Sequence, residues 1–177
     1  MVVTTLGYIC HQDEVLMLHR VKKKHDINQD KWIGIGGKLE NGETVLACMK
    51  RECREETGLD WKDPTLRAII TFNFRKNPED ELFSELMFLY TGTDYEGSLA
   101  DCPEGDLVWK NWQQIRELNL WKGDLIFLYY MQTSIPLFYM ELNYLADKLV
   151  SATLNDKPVD LSDPRWNVPD CDELAEA

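Results

Sequence analysis

The 177-residue sequence predicts a single α+β domain, a sheet and helices packed as layers, and three observations carry that prediction. Apolar, β-branched runs bounded by turn residues recur along the chain. The order is strands, a long helix, more strands, a second helix and a terminal hairpin. The length is enough to bury one sizeable core, and neither an internal repeat nor a linker divides it.

Val2–Cys10 and Val15–Leu18, separated by the polar turn His11-Gln12-Asp13, predict a hairpin. Residues 21–31 are too charged for a core element, and Lys22, Lys23 and Lys24 read as a solvated run or, beside an anionic ligand, as a steering patch. Trp32–Ile35 is a short strand entering Gly36-Gly37, where missing side chains let backbone approach a ligand closely. Thr65–Phe74 and Leu82–Thr91 are strands joined by the turn Lys76-Asn77-Pro78-Glu79-Asp80. Tyr95–Cys102 is a loop or weak strand, Asp106–Trp112 a short strand and Gln113–Leu118 a short helix. Gly123–Thr133 is a buried helix, too short to span a bilayer. Leu137–Tyr144 and Lys148–Leu154 form a hairpin over Leu145-Ala146-Asp147. From Asp156 three prolines and several acids replace the apolar pattern, so 1–155 is the expected folded domain and 156–177 a loosely attached or disordered tail.

Acidic residues outnumber basic ones by 31 to 19, a net charge of −12, which argues against binding a nucleic-acid polymer or an anionic membrane. It does not exclude a nucleotide, because a bound cation reverses the local sign. The five cysteines show no paired spacing and read as reduced, and no signal peptide or membrane span is visible, so the expected compartment is cytoplasmic.

The long helix carries the chemistry. Thr44 is its N-cap and Gly58 suits the left-handed position after its end. Glu52, Glu55 and Glu56 fall at i, i+3 and i+4 and so share one face, beside an apolar stripe of Leu46, Met49 and Cys53. Three carboxylates about 4 Å apart cost roughly 4 kcal/mol per pair at an effective dielectric near 20. Arg51 offsets part of this, while Arg54 points away. A hard divalent cation, Mg²⁺ or Mn²⁺, is the natural remedy.

Gly37, Glu43, Arg51-Glu52, Glu55-Glu56 and Gly58-Leu59 match G-x5-E-x7-R-E-U-x-E-E-x-G-U, with Cys53 at the first bulky apolar position. On these residues the chain resembles the Nudix hydrolases. KWIGIGGK at 31–38, the acids before Trp109, LNLWKGD at 118–124 and the terminal hairpin make it similar to the MutT-type branch, in particular the oxidised-purine nucleoside triphosphatases. The resemblance implies a mixed sheet sandwiched between helices, with the motif as loop–helix–loop. It implies a metal-dependent hydrolase acting on a nucleoside triphosphate. By it, Glu52, Glu55, Glu56 and the Gly37 carbonyl are metal ligands, Arg51 orients them and Glu43 pairs within the motif. Arg20 and Lys38 contact phosphate, and Glu104 completes the metal or base chemistry, with Glu52, Glu55 and Glu104 all open as the general base. Trp121 stacks on the purine and Asp124 hydrogen-bonds it; the plainer readings are a core tryptophan and an aspartate favoured by the helix dipole. One departure stands out. Ile33 occupies a position where mammalian-type members carry an amide that reads the base edge, leaving Asn28, Asp30 and Asp124 as candidates for that task. The rival functions are hydrolysis of another nucleoside diphosphate derivative, such as a dinucleoside polyphosphate or ADP-ribose, and a non-catalytic nucleotide sensor.

Overall fold

The computed structural model describes residues 1–22 and 27–166. Lys23 and Lys24, part of the expected charge run, and Cys171 lie outside them. The first hairpin forms as predicted: β1 (Val2–His11) turns at Gln12-Asp13 into β2 (Glu14–His19), with Cys10 opposite Val15 and His11 opposite Glu14. Past those pairs β2 joins β3 (Trp32–Ile33) instead. The Gly-rich loop takes the edge of β1. Thr5 N–H donates to the Gly37 carbonyl at 2.9 Å, and Gly7 and Ile35 exchange backbone bonds of 2.7 and 2.9 Å. The motif loop is thereby pinned to the sheet.

The motif helix is α1 (Val45–Thr57). The Thr44 hydroxyl accepts from Ala47 N–H at 3.2 Å, and Gly58 ends the helix at a φ of 76°. Cys48, Met49, Cys53, Glu56 and Thr57 are its buried residues. Leu46, expected in the apolar stripe, is 44% exposed. It sits in the first turn, where Cys48 makes the contact with the sheet, its Sγ 3.5 Å from the Thr5 hydroxyl.

β4 (Asp60–Trp61) leads into the long strands β5 (Thr65–Arg75) and β6 (Phe83–Gly92), and β7 (Tyr95–Glu96) returns to pair with β4 as a separate ribbon. β8 (Asp106–Asn111) pairs with β2; a 3₁₀ helix (Trp112–Glu117) and α2 (Lys122–Met131) follow. β9 (Phe138–Leu145) and β10 (Lys148–Leu154) form the terminal hairpin. The described part of the expected loose tail, up to Trp166, is packed on the fold, and residues 167–177 lie outside the described residues. β11 (Lys157–Pro158) adds to β10, and Trp166 is 1% exposed, because its indole packs on the core beside α2.

The main sheet runs β11-β10-β9-β5-β6-β1-β2-β3, with β8 also on β2. The β1–β6 and β5–β9 pairs are parallel and the rest antiparallel, so the sheet is mixed as expected. Parallel neighbours need crossover connections, and α1 and α2 lie within these two. α2 closes one core over Tyr8, Ile70, Leu89, Phe138 and Leu142. α1 closes the other over Ile9, Leu16, Ile35, Trp61 and Tyr90. Each fully buried side chain of this size contributes about 1.5–3 kcal/mol. Among the described residues no helix is long and apolar enough to cross a membrane, and Cys10, Cys48, Cys53 and Cys102 are free thiols.

Candidate active site

One arginine organises the motif. Arg51 donates to Glu43 at 2.9 and 3.1 Å, to Glu52 at 2.8 Å, to Glu55 at 3.2 Å and to the Lys38 carbonyl at 3.2 Å. A planar guanidinium with five donors suits this many-sided pairing. The Arg51 contact holds the Glu43 carboxyl below its usual range, and Glu43 and Glu52 in turn push the guanidinium higher. Arg54 turns away to Asp60 at 3.0 Å, as the helical spacing requires.

The three helical glutamates have unlike surroundings. The Glu55 side chain is 60% exposed, that of Glu52 only 15%. Glu56 is buried and accepts Gly36 N–H at 2.8 Å. Burial pushes its carboxyl up to about 8; the Gly36 N–H opposes this, while the charges of Glu104 and Glu52 add to it. Burial also raises Glu52, against the pull of Arg51. The two glycines leave room for different neighbours, backbone at Gly36 and a side-chain carboxylate at Gly37. A Cβ at Gly37 would lie 2.3 Å from Glu52 Oε1, and one at Gly36 would lie 2.0 Å from the Thr5 carbonyl.

Glu104, in the loop before β8, reaches the end of β2 and pairs with Arg20. Two residues distant in sequence, one expected at phosphate and one expected as an acid, therefore meet. The Gly37 carbonyl, the expected further metal oxygen, spends one lone pair on Thr5 N–H. As placed, no group of three or more His, Cys, Asp or Glu residues among those described could by itself hold a metal ion. Arginines take part of this carboxylate set, Arg51 engaging Glu52 and Glu55 and Arg20 engaging Glu104. The donor chemistry nonetheless fits a hard divalent cation. Glu52, Glu56 and Glu104 are oxygen donors, and the buried Glu56 is short of positive charge, its carboxyl raised further by the other two.

A cleft of about 960 Å³ runs from these groups to α2. At one end stand Arg20, Gly36, Gly37, Lys38, Glu52, Glu56 and Glu104, and at the other Asn28, Ile33, Trp121, Asp124 and Tyr144. Most of the expected site residues thus meet in one space. Arg51 and Glu55 stay at its margin, and Asp30 is taken by His19 Nε2 at 2.8 Å. Trp121 is half-buried, packs against the core beside α2 and also lines the cleft, and it donates from Nε1 to Asn28 Oδ1 at 2.8 Å. Lys31 Nζ lies 4.8 Å above its ring centroid, and Tyr144 meets it edge-on at 5.7 Å. Asp124, in the first turn of α2, faces the same end, where desolvation pushes its carboxyl up to about 8 against the pull of Lys31. Near neutral pH that carboxyl is largely protonated and can donate a hydrogen bond. The sequence reading missed the wall between the two ends: Leu6, Phe72, Phe74, Met87 and Leu142. Alternation within β5 puts Phe72 and Phe74 on one face, the signal that could have found them.

With the fold and this carboxylate set, the class is settled. The chain belongs to the NUDIX domain family, whose model matches residues 2–130, and it is a Nudix hydrolase. It is 31% identical over 134 residues, 75% of this chain and 80% of the other, to an uncharacterized Nudix hydrolase, YvcI, of Bacillus subtilis. It is 32% identical to the oxidized purine nucleoside triphosphate hydrolase of Danio rerio over 59% of this chain and 64% of that one. The crystal structure of the MutT protein from Bacillus halodurans matches with a TM-score of 0.77 and 30% identity, covering 89% of this chain and all of that one.

Proposed function

We propose that this protein is a metal-dependent nucleoside triphosphate pyrophosphohydrolase acting on purine nucleotides, oxidised ones such as 8-oxo-dGTP among them, and releasing monophosphate and pyrophosphate. The supporting observation is the two-ended cleft. It joins a carboxylate end flanked by Arg20 and Lys38 to an aromatic end formed by Trp121 and Asp124. A triphosphate chain suits the first and a purine the second. The similarity to a hydrolase of oxidized purine nucleoside triphosphates is consistent with this.

In this reading Lys38 and Arg20 bind phosphate oxygens and Arg51 fixes the Glu52 carboxylate. Glu52, Glu56 and Glu104 would hold Mg²⁺, or Mn²⁺ in its place, which when bound would polarise phosphate and favour ionisation of the attacking water. Glu52 and Glu104, which line the cleft, are better placed than Glu55 to take the water proton. Base selection is assigned chiefly to Asp124, because the Ile33 side chain offers no hydrogen bond and the Asn28 amide oxygen already accepts from Trp121. Such an enzyme would cleanse a nucleotide pool.

The test is pyrophosphate release, with Mg²⁺ and separately Mn²⁺, from 8-oxo-dGTP, dGTP, dATP, ADP-ribose and a diadenosine polyphosphate. Highest kcat/KM on an oxidised purine triphosphate supports the reading. Preference for ADP-ribose or the dinucleotide keeps the Nudix chemistry and discards this substrate. No turnover across the panel would favour a nucleotide sensor.

A further inference from the structure

We propose that residues 157–166 form a clasp that positions the base end of the cleft, holding α2 so that Trp121 and Asp124 face the bound nucleotide. The inference rests on the reading of those two residues given above.

The clasp grips α2 at both ends. Beside the cleft, Lys122 Nζ in the first turn donates to the Leu161 carbonyl at 2.8 Å. At the far end, the Trp166 indole packs against Tyr129 at a centroid distance of 5.3 Å and against Tyr130 at 6.1 Å. The clasp is also held to itself and to the sheet. Trp166 Nε1 donates to the Asp160 carbonyl at 3.0 Å, and Val159 N–H to the Ala152 carbonyl at 2.9 Å. Arg165 lies over both Tyr129 and Trp166, at 4.9 and 4.7 Å, with Asp163 fixing its guanidinium at 2.6 Å.

The start of α2 needs such support. Trp121 is the N-cap residue, yet it makes no side-chain cap bond. Gly123 N–H instead goes to the Tyr144 hydroxyl at 2.8 Å. A Cβ at Gly123 would lie 2.7 Å from that hydroxyl and from Leu142 Cδ1, so this turn sits hard against β9. The partners on the clasp and on β9 lie beyond residue 130, where the match to the family domain ends. The phosphate end stands on other supports, since the motif loop is bonded to β1 and the glutamates to Arg51 and Gly36. Loosening the clasp should therefore affect the base and spare the phosphates.

The experiment uses the full chain with Trp166→Ala, Trp166→Phe and Lys122→Met, each checked for folding by circular dichroism. It measures kcat and KM for 8-oxo-dGTP with Mg²⁺, and the Ki of inorganic tripolyphosphate, which has no base. By weakening the stacking of the base on Trp121, Trp166→Ala should raise KM roughly tenfold with kcat and the tripolyphosphate Ki unchanged. Trp166→Phe should restore most of the wild-type KM, and Lys122→Met should raise it to a smaller extent. If Trp166→Ala does not fold, Lys122→Met decides. Unchanged KM in folded variants, or KM and the tripolyphosphate Ki rising together, overturns the proposal. A Trp121→Ala control separates the two ideas. Raised KM there with unmoved clasp variants overturns the clasp alone, whereas unmoved KM there overturns the base-end reading beneath it.

Discussion

Glu56 and Asp124 are carboxyls that burial pushes to about 8, at opposite ends of one cleft. Glu56 has Glu52 and Glu104 near it, so under the proposed function a bound cation would meet its need for positive charge. Glu56→Gln keeps the shape and can still accept Gly36 N–H through its amide oxygen. It should cut turnover by orders of magnitude with the circular dichroism spectrum unchanged; near-wild-type rates would remove Glu56 from the chemistry. Asp124 gives a pH prediction. Its folded-state value of about 8 exceeds the ordinary 3.8, so the folded protein holds the proton more firmly than the unfolded chain. The resulting stabilisation is full below 3.8 and is lost as pH rises through about 8. Asp124→Asn should abolish that slope, its stability gaining on wild type by an amount on the order of a few kcal/mol between about pH 5 and about pH 9. Urea melts giving parallel stability curves for the two proteins would contradict it. The identities of these residues were readable in sequence, but their protonation was not, because it depends on what buries them.

At the scale of elements, the motif loop and α1 act as one unit. Gly37 shows this most sharply, since a Cβ there would enter the Glu52 carboxylate. Gly37→Ala should displace Glu52 and reduce kcat at least tenfold, since misplacing a group by about 1 Å can cost 10²-fold. Thermal melting should shift far less; equal losses of activity and stability would mean the clash is relieved by the whole loop moving. This unit was legible because its signals are local: the cap Thr44, the stop Gly58 and the carboxylate spacing all lie between residues 37 and 59. Leu46 was misread because helical periodicity gives the face and not where the helix overhangs its support. The meeting of Arg20 with Glu104 was hidden for another reason, as it depends on β2 pairing with β8. The Phe72 and Phe74 wall needed the sheet order before it could be seen as part of the site.

The whole molecule places the carboxylate end of the cleft, proposed for phosphate, and the aromatic end, proposed for the base, on separate supports around one sheet, α1 with its loop for the first and α2 for the second. The long strands and their succession along the chain followed from alternation and turn residues, while their order in the sheet did not. The packing of residues 157–166 did not, since proline and acidic residues hid their apolar anchors, Trp166 above all, with Val159 and Leu161 beside it. The role of Trp166 should be visible in stability as well. Trp166→Ala removes a buried indole, so a loss of about 3–5 kcal/mol in chemical denaturation is expected, and a loss below 1 kcal/mol would mean the segment is not held in solution. The central claim, that the two ends serve one triphosphate, is tested most directly by phosphorus NMR of 8-oxo-dGTP incubated with the wild-type protein and Mg²⁺. The account predicts pyrophosphate and the nucleoside monophosphate as the sole products, with none formed once the metal is chelated. Orthophosphate with nucleoside diphosphate, or an unaltered triphosphate, would contradict it.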